Sequence, residues 1–120
     1  MTATFWKEDR PLASPRRTAV VPLGHVDGLN HLPPCGEVLV GGRRAPILSR
    51  RGIEHTVIDV THLPPVAIGD EVVVLGRQGS KSISAAEIAA TTGVAMLELV
   101  ARLAWMAPRR YLPVRRRAAE

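Results

Sequence analysis

Four ionisable residues, in two short segments, carry the chemistry this chain could perform. The first segment is Gly24-His25-Val26-Asp27-Gly28. Imidazole titrates near neutral pH, so His25 can transfer a proton without a cofactor. Asp27, two residues on, can orient that ring or cap the turn at Gly28. The second segment is Ile53-Glu54-His55. A carboxylate beside an imidazole forms an acid/base couple when one of the two is desolvated. On a strand, neighbouring residues point to opposite faces, so without a bulge only one of Glu54 and His55 can face a given pocket. His25, Asp27, Glu54 and His55 are therefore the candidate catalytic residues.

Other constellations are weaker. His31 and Cys35 have a spacing that could suit a metal, but they sit in a loop rich in glycine and proline, and no second close ligand pair accompanies them. A structural zinc site needs paired ligands, so no metal is expected. Cys35 is the sole cysteine, which precludes an internal disulfide. Gly76-Arg77-Gln78-Gly79 reads as a glycine-bounded turn and lacks the pattern of a phosphate loop. Asp70 and Glu71 enter a strand from a turn, where carboxylates satisfy backbone amides.

The elements that must position these residues are mostly strands. Residues 18–23 are short, β-branched and apolar, a first strand, and residues 24–36 read as a loop. Gly41-Gly42, between residues 37–40 and 43–48, predicts a tight hairpin. Residues 54–60 predict a strand with Thr56, Ile58 and Val60 on one face. Residues 71–75 are nearly all apolar and predict a strand buried on both faces. Ser84-Ala85-Ala86-Glu87 is a capping box ahead of a helix, and Gly93 suits its C-terminal cap. A second helix carries a stripe of Val94, Leu97, Val100 and Ala101, with Met96, Leu97 and Trp105 expected in the core. The fold class is mostly β: a small β-barrel-like domain over residues 18–112, with one or two short C-terminal helices. Residues 1–17 read as a flexible leader and 113–120 as a basic tail.

Length and composition agree with one small domain. Hydrophobic residues make up 46% of the chain but aromatics only 3%, so the core must be built of Val, Leu, Ile and Ala. No apolar run approaches the ~20 residues of a membrane span, and the first ten residues lack the apolar core of a signal peptide. The chain is expected in the cytoplasm, with no membrane partner. Net charge is +5 and comes from arginine, the only lysines being Lys7 and Lys81. The arginine pairs are scattered and few aromatics lie among them, so a base-stacking nucleic-acid surface is not expected.

Several motifs in order resemble one family. Pro22-Leu23-Gly24-His25-Val26-Asp27-Gly28, the run from Glu37 through Gly41-Gly42-Arg43-Arg44-Ala45-Pro46-Ile47, Val66-Ala67-Ile68-Gly69-Asp70-Glu71-Val72-Val73-Val74-Leu75-Gly76 and Ala107-Pro108-Arg109-Arg110-Tyr111 are similar to the C-terminal β-domain of alanine racemase. The resemblance covers residues 19–111. Racemases of this family carry, in addition, a (β/α)8 barrel that binds pyridoxal phosphate through a lysine, and such a barrel needs ~250 residues, more than the 120 here. Lys7 and Lys81 lack the desolvated setting of a Schiff-base lysine. In the family's Gly-Tyr-Ala-Asp-Gly segment the tyrosine is the acid/base; here His25 replaces it. The family's Met-Asp-Gln stretch is here Ile53-Glu54-His55, near the His25 loop if the topology holds. A second tyrosine, against the cofactor phosphate, aligns with Leu97. No cofactor is therefore expected. The leading expectation is a stand-alone domain repurposed as a small cofactor-independent enzyme, an acid/base isomerase or cyclase acting on a small, largely apolar molecule, plausibly in specialised metabolism. The alternatives are a non-catalytic module that binds a ligand or partner, and the detached half of a split racemase that docks on a separate barrel protein. The family domain packs against another subunit's barrel, so the face it leaves predicts self-association into a homodimer.

Overall fold

The structure, a computed structural model, describes residues 15–28, 36–48, 52–103 and 108–113. Most of the expected leader and tail, together with His31, Cys35 and Trp105, lies outside the described residues.

Strand β1 (Thr18–Val21) pairs antiparallel with β4 (Thr56–Asp59), Thr18 opposite Asp59 and Val21 opposite Thr56. β2 (Glu37–Val40) and β3 (Arg43–Pro46) form the expected hairpin. Its turn needs glycine, because Gly41 and Gly42 both take positive φ, 58° and 74°. β2 also pairs with the short β5 (Val72–Val73). An antiparallel bridge between Ile47 and Ile58, with the Leu48 amide donating to the Val57 carbonyl at 3.0 Å, joins the end of β3 to β4. The path across the domain therefore runs β1-β4-β3-β2-β5. It curls like a barrel but does not close, since β1 and β5 each keep one edge unpaired among the described residues.

The core forms inside this curl, around Leu39, Ile58, Val38 and Val60. On β4, Thr56, Ile58 and Val60 are buried as their alternation requires. Residues 71–75 differ from expectation: Val72 and Val73 are half-buried and only Val74 is buried. With β2 as its single neighbour, β5 is an edge, and its outer side is left uncovered. The 76–79 stretch is more than a turn. β6 (Gly76–Gln78) pairs with β7 (Lys81–Ile83) across Gly79 and Ser80, and Gly79 takes the left-handed φ of 61° that this turn requires.

Helix α1 (Ala85–Thr92) starts as the sequence predicts. The Ser84 hydroxyl accepts from the Glu87 amide at 3.0 Å, and Gly93 ends the helix at φ 72°. The Glu87 carboxylate does not return to the cap; it pairs with Arg44 of β3 at 2.6 Å and ties the helix to the sheet. Helix α2 (Met96–Arg102) corrects an expectation. Leu97, placed in the core by the apolar stripe, is 82% exposed, Met96 and Val100 are exposed too, and Leu99 is fully buried, with Leu103 and Val94 packed beside it on the core. Apolar residues occupy nearly every position from 94 to 103, so periodicity could not choose the buried face; packing against α1 and the sheet chose it. No helix among the described residues is long and apolar enough to cross a membrane.

Candidate functional site

The four candidate residues occupy two turns at one end of the β1–β4 pair. After β1 the chain makes a single 3-10 turn, His25–Asp27. The Asp27 carboxylate accepts from the Gly24 amide at 2.8 Å, and Gly28 closes the turn at φ 90° with its amide donating to the His25 carbonyl. Asp27 thus caps the start of the turn at Gly24, not its end at Gly28. Residues 52–55 form the second turn. The Gly52 amide donates to the His55 carbonyl at 2.8 Å, and β4 begins only at Thr56. Glu54 and His55 therefore lie on a turn rather than a strand, and the opposite-face rule does not separate them.

The two turns are joined through their backbones. The His25 amide donates to the Gly52 carbonyl at 3.0 Å and the Val26 amide to the Ile53 carbonyl at 3.1 Å. This approach requires glycine at 24, where a Cβ would lie 2.5 Å from the Gly52 oxygen and 2.6 Å from that of Ile53. Below the junction, the Thr56 hydroxyl donates to the Leu23 carbonyl at 2.7 Å. On the other side, Gly28 lies against the backbone of Arg102 and Leu103 at the end of α2. The proximity of the His25 loop to the Ile53-Glu54-His55 stretch, which the resemblance implies, is thus present, and the end of α2 adjoins it.

The side chains on this platform face outward. His25, Val26, Ile53 and Glu54 are exposed, Ile53 at 69%. His55 is half-buried, its ring folded back against Gly52, where an added Cβ would stand 2.5 Å from Cε1. Among the described residues, no hydrogen bond or ion pair engages the side chains of His25, Glu54 or His55. The grooves of about 660 and 310 Å³ among the described residues are lined by residues other than these four. Sequence reasoning missed the exposed apolar residues Val26 and Ile53 on these two turns. Isolated apolar residues in turns give no periodic signal.

Charge is organised at the opposite end of the β1–β4 pair. Asp59 is buried at 8% side-chain exposure and pairs with Arg16 at 2.6 Å. Burial alone would push its carboxyl up, but hydrogen bonds from the Thr61 hydroxyl and amide, and then Arg16, hold it below the usual aspartate range. Arg17 donates to the Val60 carbonyl at 2.8 Å and to that of Leu63. The Arg44 pairing likewise holds the Glu87 carboxyl low, against a smaller opposing push from desolvation.

No three His, Cys, Asp or Glu side chains converge as a metal site among the described residues. Nor do those residues fit pyridoxal phosphate. Lys81 is exposed on β7, far from the desolvation a Schiff-base lysine needs, and Leu97, aligned with a phosphate-contacting tyrosine, offers no donor.

The model of the alanine racemase C-terminal domain matches residues 7–111. The chain is 42% identical over 96 residues to an alanine racemase of Halothermothrix orenii, covering 79% of this chain and 25% of that protein. Among solved structures it is similar to the biosynthetic alanine racemase of Pseudomonas aeruginosa, with TM-score 0.69, 33% identity and coverage of 90% of this chain and 28% of that one. It is also similar to the alanine racemase of Streptomyces coelicolor, with TM-score 0.70, 30% identity and coverage of 81% and 25%. The chain spans about a quarter of the length of the curated relatives it matches. It belongs to the alanine racemase C-terminal domain family.

Proposed function

We propose that this domain supplies one wall of an acid/base site, with the His25 imidazole as the group that takes up or returns a proton on a small substrate. The reaction class is isomerisation by proton transfer. The observation that carries this reading is the backbone junction between the two turns, which fixes the position of His25 while leaving its ring without a partner. Closure that expels water strengthens the electrostatics of such a site, and the exposed platform does not provide it alone. A second body must cover it. The relatives are about four times as long as the stretch matched here, and the exposed apolar side chains of Val26 and Ile53, on the two joined turns, give the platform surface suited to docking. A barrel of the alanine racemase type is the body proposed. The chain's own contribution is proton transfer, without a cofactor contact of its own.

The test mixes the full chain with a racemase barrel. Light scattering reads the complex, and ¹H NMR in D₂O reads exchange of the alanine Cα proton. A complex should form and exchange that proton, and His25→Ala should slow exchange at least ~100-fold, the usual worth of a general acid/base. No complex with the barrel, or exchange unaffected by His25→Ala, overturns the reading. A homodimer that buries the platform would instead identify the covering body as a second copy.

A further inference from the structure

The grooves of about 660 and 310 Å³ adjoin, sharing Val40, Val66 and Asp70. The larger one is apolar. Buried Val40 and Ile58 form its floor, residues 18–22 line one side, and residues 66–70 with Val72 line the other. The 66–70 side is a preformed wall. The Asp70 amide donates to the Ala67 carbonyl at 3.2 Å, the Ala67 amide donates to Asp70 Oδ2 at 2.9 Å, and Gly69 takes the left-handed φ of 97° that this turn requires. The second of these bonds also fixes a carboxylate where the two grooves meet. It leaves Asp70 Oδ1 without a partner among the described residues. In the smaller groove, the Gln78 amide group donates to the Glu71 carboxylate at 3.3 Å and accepts from the Gly42 amide at 2.8 Å, so a second carboxylate is held beside the first. The chain carries 16 lysines and arginines against 11 aspartates and glutamates. Yet among the described residues no lysine, arginine or histidine lines either groove. The result is an apolar slot ending in negative charge on an otherwise cationic protein.

We infer that this slot binds a small aliphatic amine, its apolar chain over Val40 and Ile58 and its ammonium group against Asp70. The larger groove falls within the ~300–1,000 Å³ of small-molecule sites, and such sites combine an apolar lining with a few placed polar groups. Charge complementarity selects the head group. An ammonium donates up to three hydrogen bonds and accepts none, and it meets a carboxylate oxygen that has no other partner. Glu71 adds to the same field from the smaller groove. The apolar wall beside Asp70 lowers the local dielectric, which strengthens that attraction. An alcohol with the same chain gains the burial without the charge, and a carboxylic acid is repelled. None of His25, Asp27, Glu54 and His55 lines either groove, so the inference stands apart from the proton-transfer reading of the platform.

The test titrates the full chain with hexylammonium, hexanol and hexanoate, followed by ¹H–¹⁵N NMR. Hexylammonium should shift the Val20, Val66 and Val72 amides saturably. Hexanol should bind at least about threefold more weakly, the scale of a partly exposed ion pair, and hexanoate more weakly still. Asp70→Asn keeps an acceptor for the Ala67 amide while removing the charge, so the turn should hold, and hexylammonium affinity should fall at least about threefold. Val20→Lys provides a second check at an exposed strand position. It adds a cation to the wall and should weaken hexylammonium binding by at least the same factor. Protected Ile58 and Leu99 amides would verify the fold of both variants. No saturable shift at the groove would overturn the inference. So would equal affinity for hexylammonium and hexanol, or an affinity for hexylammonium unchanged in either folded variant.

Discussion

The two ends of the β1–β4 pair are built in opposite ways. At one end, Arg16, Arg17, Asp59 and Thr61 lock the strands through side chains: an ion pair, a hydroxyl and a guanidinium on carbonyls. Every charge there is spent on architecture. At the other end, the 25–28 and 52–55 turns are joined through backbone amides and carbonyls, and among the described residues the side chains of His25 and Glu54 have no partner. A junction held by its backbone can vary its side chains without losing its shape. The first end therefore reads as structural, although its Asp59 carboxyl is held below the ordinary range, and the second as the surface that meets something else.

The largest effect should come from the side-chain end. Asp59→Ala removes the acceptor of Arg16 and of the Thr61 hydroxyl and amide. Hydrogen bonds to a charged group are worth about 1.5–3 kcal/mol, so urea unfolding should show a loss of about 2 kcal/mol. The same residue sets an acid dependence. Its carboxyl is held below its ordinary range in the folded chain, so its stabilisation is complete above the unfolded value of about 3.9 and is lost as pH falls through the folded one. Stability measured from pH 7 downward should decline in that acid window, and less steeply in Asp59→Ala. Equal steepness would show that Asp59 is not the group responsible.

At the platform the vulnerable atom is a missing Cβ. Gly24→Ala places a methyl 2.5 Å from the Gly52 carbonyl oxygen, where only backbone can give way. Overpacking of this kind costs about 1–3 kcal/mol. The specific signature is local: the His25 and Val26 amides should lose exchange protection while the Ile58 amide keeps its own. Uniform loss across the domain would mean that the turns are not a separable junction.

How much of this was legible in the sequence depends on which force fixes each element. The Gly41-Gly42 hairpin and the Ser84 cap were readable because each rests on local chemistry, positive φ in one case and an orphan amide in the other. The core face of β4 was readable because period-two alternation of Thr56, Ile58 and Val60 survives any packing. The buried side of α2 was not, because apolar residues surround the helix and only its neighbours select Leu99 over Leu97. The edge position of β5 was not either, since Val72 and Val73 look the same in a central strand; the number of neighbours decides their exposure. At the site, motif and resemblance located the four candidates in two segments. The capping role of Asp27 and the folding of the His55 ring onto Gly52 depend on a long-range backbone junction that no local pattern encodes.

The smallest effect on stability should accompany the largest on function, and this pairing tests the comparison most sharply. His25→Ala and Glu54→Gln change exposed side chains with no hydrogen-bond partner among the described residues, so each should shift unfolding free energy by less than about 0.5 kcal/mol. The His25 and Val26 amides should keep their bonds to Gly52 and Ile53, since neither substitution touches the backbone. If His25 works at a covered site, His25→Ala should abolish Cα-proton exchange in the barrel complex, and Glu54→Gln should shift its pH profile if the carboxylate faces the imidazole there. If His25→Ala instead costs stability comparable to Asp59→Ala, the ring is a structural element, and the distinction between the two ends of the β1–β4 pair fails. A stable, well-folded His25→Ala that binds the barrel but cannot exchange the proton would separate holding from doing at this site, as the backbone bonds of His25 and Val26 to Gly52 and Ile53 imply.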